Sequence, residues 1–225
     1  MQRRSSPNYD ERAEKIALAY IVLHYTGMKS GEEALARLCD PMGKVSAHYV
    51  VGEDGVITQM VDEERRAWHA GKSFWRGLTD INSASIGIEL INPGHEFGYR
   101  AFPAAQIAAL KGLLRGVIAR HGMDAARCLL GHSDIAPARK EDPGELFPWR
   151  ELAAEGFGVW PEPAPPDYAA AGGAEALLEA IGYDITRTDK ALLAFQRRFY
   201  PERLGKGVDT ETIARMRAVN RLLNV

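Results

Sequence analysis

From Trp160 the chain reads Trp-Pro-Glu-Pro-Ala-Pro-Pro, with prolines at 161, 163, 165 and 166. Each proline fixes φ and removes an N–H donor, so neither a helix nor a central strand passes through that run. Its path is extended and polyproline-like. The 225 residues therefore divide into a larger unit and a small one. The expected organisation is an N-terminal arm over 1–12, a first domain over 13–160, a proline-rich linker over 161–167 and a second domain over 168–225.

Several segments of the first domain read as strands. Ala17-Leu-Ala-Tyr-Ile-Val-Leu23 is a short continuous apolar run of the buried-strand type. Segments 47–51 and 56–61 flank Gly52-Glu-Asp-Gly55, which predicts a hairpin. Ser85-Ile-Gly-Ile-Glu-Leu90 alternates, with Ile86, Ile88 and Leu90 on one face and Gly87 and Glu89 on the other. Arg127-Cys-Leu-Leu130 is a further short strand. A helix begins after Ser30, a capping serine with acids in the turn behind it. Another spans 103–121, with Ile107, Leu110, Leu114, Val117 and Ile118 at helical spacing and Gly122 as its stop. Beyond the prolines, 175–181, 188–200 and 209–223 read as three helices with a thin core. The fold class predicted is α/β, a mixed central β-sheet flanked by helices and followed by a small three-helix domain.

Composition narrows the partners. A formal net charge of −2, with 26% charged and 46% hydrophobic residues, lacks the positive field that a nucleic-acid binder uses. No apolar run approaches the ~20 residues of a membrane span, so neither nucleic acid nor integral membrane contact is expected. The first twelve residues are basic and polar for too long to form a signal peptide, and the following apolar run ends in His24 without a small-residue cleavage site. The expectation is a cytoplasmic monomer, or a periplasmic or cell-wall protein if export takes another route or the sequence is trimmed. Cys39 and Cys128 lie among apolar neighbours and read as buried reduced thiols rather than a disulfide.

The chemistry concentrates at strand ends. Of the six histidines, His24 closes the first apolar run, at the rim where α/β sheets place their ligands. His132 repeats that arrangement in Leu129-Leu-Gly-His132-Ser-Asp. The loop after it carries Asp142 just before Pro143. Two neutral imidazoles and a carboxylate make a three-ligand set with a fourth position open to water, the pattern of a catalytic rather than a structural zinc site. The plainer alternatives are core histidines and a turn aspartate. Glu89 lies on the small face of a buried strand, where a carboxylate is costly unless paired or functional. It is the candidate general base, and Gly87 on the same face leaves room for substrate or metal. The alternative is a salt-bridged strand glutamate. Lys140, two residues before Asp142 in an extended loop, points the same way and could meet a developing oxyanion. On its own it would read as a surface lysine.

These residues fall in stretches that resemble the type-2 N-acetylmuramoyl-L-alanine amidases, relatives of peptidoglycan-recognition proteins and phage lysozyme-amidases. The stretches are Ile21-Val-Leu-His-Tyr-Thr26, Val45-Ser-Ala-His-Tyr-Val50, Arg66-Ala-Trp-His-Ala-Gly71, Asn82 with Ser85-Ile-Gly-Ile-Glu89, Gly131-His-Ser-Asp-Ile-Ala-Pro137, and Arg139-Lys-Glu-Asp-Pro-Gly144 leading to Phe147-Pro-Trp149. They follow the family's order across nearly the whole first domain. The resemblance implies zinc bound by His24, His132 and Asp142, with Glu89 and Lys140 as catalytic groups. It implies hydrolysis of the amide between the lactyl group of (anhydro)N-acetylmuramic acid and the L-alanine of a stem peptide, so peptidoglycan or a muropeptide is the expected partner. Some relatives carry a catalytic tyrosine where this chain has Ala47, which passes that role to Glu89. Others use cysteine where this chain has Asp142. The likeness also puts Trp68 and His69 near the substrate groove, Trp68 as a wall and His69 as a structural hydrogen-bonder. Arg66 either takes a peptide carboxylate or belongs to a solvated turn.

The tail resembles the three-helix peptidoglycan-binding domain appended to wall hydrolases, through Asp189-Lys-Ala-Leu-Leu-Ala-Phe-Gln-Arg-Arg-Phe199 and Gly207-Val-Asp-Thr-Glu-Thr212. The alternative is a tail that only packs on the catalytic domain. A non-catalytic recognition protein is the competing function, and the complete zinc set argues against it. The missing signal peptide points to soluble anhydro-muropeptides as substrate, whereas the tail points to polymeric wall.

Overall fold

The apolar run that leads into His24 becomes the middle of a sheet. A computed structural model of the protein describes residues 1–162 and 173–224. Its elements are β1 (Gln2–Arg3), β2 (Tyr9–Glu11), β3 (Tyr20–Tyr25), α1 (Gly31–Cys39), β4 (Tyr49–Val51), β5 (Ile57–Gln59), β6 (Arg65–Ala67), α2 (Ile81–Ala84), β7 (Ser85–Leu90), α3 (Gly94–Phe97), α4 (Ala104–His121), β8 (Leu129–Gly131), α5 (His132–Ile135), α6 (Trp149–Ala154), α7 (Ala174–Ile181), α8 (Thr188–Phe199) and α9 (Thr210–Leu223). Among the described residues the main sheet has the order β1-β5-β4-β7-β3-β8. Strands β4, β7, β3 and β8 are parallel, while β5 returns antiparallel to β4. The sheet is mixed and flanked by helices, as the patterning predicts.

Alternation along the central strands sorts the core onto two faces. Ile21 and Leu23 join Ile86, Ile88 and Leu90 under Ile107, Leu110, Leu114 and Val117 of α4. Val22 and Leu130 point the other way, into a second cluster with Trp75, Ile81 and Ile135. Helix α4 starts behind Pro103 and stops at Gly122, whose φ of 61° suits a residue without a Cβ. Its one buried amide, Gln106, donates to the carbonyls of Val51 (2.9 Å) and Ile91 (3.0 Å), satisfying backbone groups at strand ends. Strand β3 starts later than the apolar run and continues through His24 and Tyr25, because β7 offers backbone partners as far as Leu90. Cys128 is buried, Cys39 half-buried, and both are free thiols. No helix among the described residues is long and apolar enough to cross a membrane.

One expectation about organisation is corrected. Residues 1–12 are not an arm. Strand β1 lies parallel to β5 at the sheet edge, β2 pairs antiparallel with β6, and Arg12 donates to the carbonyls of Glu63, Asn82, Ser83 and Ser85. Helices α7–α9 pack on one another and, through the same cluster, on the sheet. Leu178, Ile181, Tyr183, Phe195, Phe199, Met216 and Val219 belong to the same cluster as Val22 and Leu130 of the sheet. Each such side chain, fully buried, contributes about 1.5–3 kcal/mol, and the sheet supplies the surface that makes this burial possible. Of the proline-rich linker, residues 163–167 lie outside the described residues, as does the start of the second domain to 172.

Candidate active site

Parallel pairing fixes which side chains meet at the carboxyl edge of the sheet. In the β3–β7 ladder His24 lies beside Glu89, and in the β3–β8 ladder Leu23 lies beside Gly131. His132 therefore emerges one residue beyond β8, level with His24. The carboxyl ends of parallel strands are where such sheets place their ligands. Asp142 arrives from the following loop, which is tied back by the Ser133 N–H donating to the Asp142 carbonyl at 2.9 Å. The Asp142–Pro143 peptide bond is cis.

The three side chains converge on one point. His24 Nδ1 and His132 Nδ1 are 2.9 Å apart, and Asp142 Oδ2 is 3.0 Å from each. All three residues are buried. The far side of each ring sets its tautomer. His24 Nε2 faces His69 Nδ1 at 3.1 Å, and His132 Nε2 faces the Ala70 carbonyl at 3.2 Å. His69 Nε2 in turn faces the Ser85 hydroxyl at 3.3 Å, while that hydroxyl donates to the Ile81 carbonyl at 2.6 Å. Protons on the Nε2 atoms satisfy this whole chain and leave both Nδ1 lone pairs aimed inward beside a carboxylate oxygen. Three buried acceptors with no donor among them call for a cation. Two imidazole nitrogens and one carboxylate oxygen suit a borderline divalent ion such as zinc.

Electrostatics agrees with that reading. Burial lowers the His24 pKa to about 4, helped by the neighbouring His132, so the ring stays neutral and able to coordinate. Burial also holds His69 well below the usual imidazole range. For Asp142, burial works in the opposite direction, but the two imidazoles outweigh it and keep the carboxyl ionised. Glu89 lacks such partners. Burial, and then the charge of Asp142, raise its pKa well above the carboxylate range, while Lys140 opposes the shift. Its Oε2 is out of solvent and has no hydrogen-bond partner. A carboxylate oxygen left without a partner beside a donor triad costs stability, which makes Glu89 a candidate for chemistry.

A cavity of about 750 Å³ opens over these groups, and Lys140, Trp68 and His69 border it together with the triad and Glu89. Trp68 forms part of the wall, with its indole N–H donating to Asp10 at 2.7 Å. His69 sits beneath it, buried. Arg66 requires a correction. It is not among the residues bordering the cavity. Its guanidinium is engaged by Asp80 at 3.1 and 3.2 Å and by Asp10 at 3.0 Å, so it is not available to a peptide carboxylate. Gly87 also departs from expectation, because the space beside it is filled by the His69 ring. His48 is a satisfied sheet histidine, accepting from the Gly87 N–H at 2.9 Å and facing the Arg65 carbonyl at 3.0 Å.

Sequence reasoning passed over His95 and Tyr25. Both border the cavity. The rings meet through Tyr25 Oη and His95 Nδ1 at 2.8 Å, and His95 Nε2 faces Glu145 at 3.1 Å. The available signal was position, since Tyr25 ends β3 and His95 lies in the short helix α3, a few residues past β7. Arg139 is a second omission. It donates to the carbonyls of Ala70 and Lys72, and Ala70 is the residue whose carbonyl orients His132.

Comparison with known proteins adds to this geometry. The pattern of the Amidase_2 family, described as N-acetylmuramoyl-L-alanine amidase, matches residues 14–145. The chain is 38% identical to the N-acetylmuramoyl-L-alanine amidase AmiD of Escherichia coli, over 86% of this chain and 79% of the relative. It is 36% identical to the 1,6-anhydro-N-acetylmuramyl-L-alanine amidase AmpD of the same organism, over 66% of this chain and 87% of the relative. Among solved structures, E. coli AmiD in complex with anhydro-N-acetylmuramic acid-L-Ala-D-γ-Glu-L-Lys superimposes with a TM-score of 0.80 at 33% identity, covering 95% of this chain and 97% of that one. AmpDh3 of Pseudomonas aeruginosa gives 0.81 at 32% identity, covering 97% and 95%.

Proposed function

This chain belongs to the Amidase_2 family of N-acetylmuramoyl-L-alanine amidases, and on that premise we propose that it is a zinc-dependent hydrolase of muropeptides. The bond cut is the amide between the lactyl group of N-acetylmuramic acid and the L-alanine of the stem peptide. Relatives solved with anhydro-N-acetylmuramic acid-L-Ala-D-γ-Glu-L-Lys and with an anhydromuramic pentapeptide favour the anhydro-sugar form as substrate. A γ-linked glutamate keeps a free α-carboxylate, and the end of the stem supplies another, so the peptide arm of such a substrate is anionic.

One observation carries the reading. Two imidazole nitrogens and a carboxylate oxygen lie within 3.0 Å of one another at the end of parallel strands, with the unpartnered Glu89 in register beside them. A zinc ion held by His24, His132 and Asp142 supplies a Lewis acid for the scissile carbonyl and a water acidified toward neutral pH. The remaining work falls to the chain. Glu89 takes the proton of the attacking water and returns it to the alanine nitrogen as the C–N bond breaks. Its raised pKa brings the carboxyl toward the working pH, where one group serves both as base and as acid. Lys140 donates to the oxyanion that develops on the carbonyl oxygen, in a cavity where a fixed cation needs little reorganisation. Arg139 keeps the Ala70 carbonyl, and through it His132, in place.

Glu89→Gln keeps the shape of the side chain and removes the proton acceptor. The variant should bind stoichiometric zinc, measured by atomic absorption, and lose about 10²–10⁴-fold in turnover of an anhydro-muropeptide. Full activity in that variant would take Glu89 out of the mechanism. His132→Ala should lose the metal, and retention of one zinc per chain would overturn the ligand set.

A further inference from the structure

Helix α8 reaches the same cavity as the metal-ligand triad. Lys190, Leu193 and Arg197 border it, and spacings of three and four put them on one face of the helix. The adjoining face, with Ala191, Ala194, Phe195 and Arg198, is buried against the sheet cluster and Asp134. The helix is held firmly in that position. Arg198 donates to Asp134 Oδ2 at 2.5 Å and to the Leu129 carbonyl at 2.9 Å, and Tyr183 donates to Asp134 Oδ1 at 2.8 Å. Asp134 accepts from the Gly131 N–H at 2.7 Å, next to His132.

The two cations on the cavity face differ. Arg197 is buried and lies 3.3 Å from Glu141 and 3.6 Å from Glu145, so its charge is committed to the loop that carries Asp142. Lys190 is half-buried. Among the described residues no carboxylate lies within ion-pair distance of its ammonium, and the adjacent Asp189 is occupied by Arg187 at 3.0 Å through both oxygens. An ammonium with no direct ion pair among the described residues, beside a leucine on a rigid wall, suits an anion attached to an aliphatic chain.

We propose that Lys190, with Leu193 beside it, forms a subsite for a carboxylate on the peptide arm of the substrate, so that α8 sets a preference for acidic stems. The proposal rests on the amidase reading above, which brings that arm into the cavity. It gives the C-terminal helices a part in substrate selection at the catalytic centre itself.

The test compares the full-length, zinc-loaded chain with Lys190→Ala, Lys190→Glu and Lys190→Arg on two substrates. One is an anhydro-muropeptide with free stem carboxylates, and the other is the same molecule with those carboxyls amidated. On the acidic stem, KM should rise about 5-fold in Lys190→Ala and about 10-fold or more in Lys190→Glu, with kcat unchanged and Lys190→Arg near wild type. On the amidated stem all four proteins should agree within about 2-fold. An equal rise on both substrates, or no rise on the acidic one, overturns the subsite. Calorimetric binding of the free stem tripeptide reads the same contact without turnover. Lys190-dependent binding in a chain that releases no peptide would sink the amidase reading and leave the subsite standing. Efficient release with a KM indifferent to Lys190 would do the reverse.

Discussion

Replacing Gly87 by alanine adds one methyl group where the site has least room. A Cβ at that position would lie 2.5 Å from Cδ2 and 2.7 Å from Nδ1 of His69, and nearer still to Cγ. Ordinary contact begins near 3.4 Å, so the ring must retreat by about 1 Å. It cannot retreat freely. The N–H groups of His69 and Ala70 are both held by Asn82 Oδ1, at 3.1 and 2.8 Å, and His69 as a residue is only 8% exposed. A displaced ring gives up the contact with His24 Nε2 that fixes the His24 tautomer. Overpacking costs about 1–3 kcal/mol, and a buried donor left unsatisfied adds about 1–3 kcal/mol. The two costs add to about 2–6 kcal/mol, and for a chain of this size each kcal/mol lowers Tm by about 2–4 °C, so a fall of about 4–24 °C is expected by calorimetry. Zinc affinity, read by competition with a chromophoric chelator, should weaken about 10–100-fold, as it does when a ligand histidine loses its outer partner. The double variant Gly87→Ala/His69→Ala removes the obstacle and should recover part of the lost Tm non-additively, without recovering the metal affinity. A Gly87→Ala protein with a Tm within about 1 °C of wild type and unchanged zinc affinity would refute both the placement of the ring and its hold on His24.

Three further outcomes follow from the same structure. Arg198→Met leaves the fully buried Asp134 without its cation and should cost about 3–5 kcal/mol in urea unfolding; a loss below about 1 kcal/mol would mean that Asp134 finds another partner. Glu63 accepts from Arg120, Tyr49 and His121, and although burial opposes them these bonds lower its pKa to about 2. Its contribution is therefore present above the unfolded carboxyl pKa near 4.5 and is lost as the pH falls toward about 2, so the unfolding midpoint of Glu63→Gln should flatten in that window, and an unchanged acid limb would contradict the assignment. Chelation should abolish turnover and lower Tm, with zinc restoring both, because at a free concentration of 100 Kd a bound metal adds about 2.7 kcal/mol of stability; a Tm indifferent to chelator would deny the metal a place in the folded state.

What the sequence reveals depends on whether the signal is local. The strand at Ser85–Leu90 is legible because alternation needs only its own six residues. The triad is legible as chemistry, since histidines at the ends of apolar runs and an aspartate before proline are visible one by one. Their convergence depends on the register between β3, β7 and β8, which no single segment encodes. Strands β1 and β2 are illegible because two or three residues carry no period. Arg66 is misread because its partners, Asp10 and Asp80, are remote in the chain. Gly87 is misread for the same reason. The absence of a side chain implies space, and only the fold reveals that His69 occupies it.

The proline-rich run implies two bodies, and the buried charges argue for one. Asp134 is fully buried, and its cation and a hydroxyl donor come from the other side of that run, as Arg198 and Tyr183. A buried carboxylate is tolerable only when its partners are in place, so separating the helices from the sheet would strand this charge beside His132. The same separation would expose Val22, Leu130, Trp75 and Ile135, which the helices cover. Charge and apolar burial thus penalise the same motion, and both penalties fall next to His132, a proposed metal ligand. The physical consequence is that the tail need not bind polymer at a distance to matter for catalysis. Through Arg198 and Tyr183 on Asp134 it holds the turn that begins at His132, and through Arg197 on Glu141 and Glu145 it holds the loop on either side of Asp142.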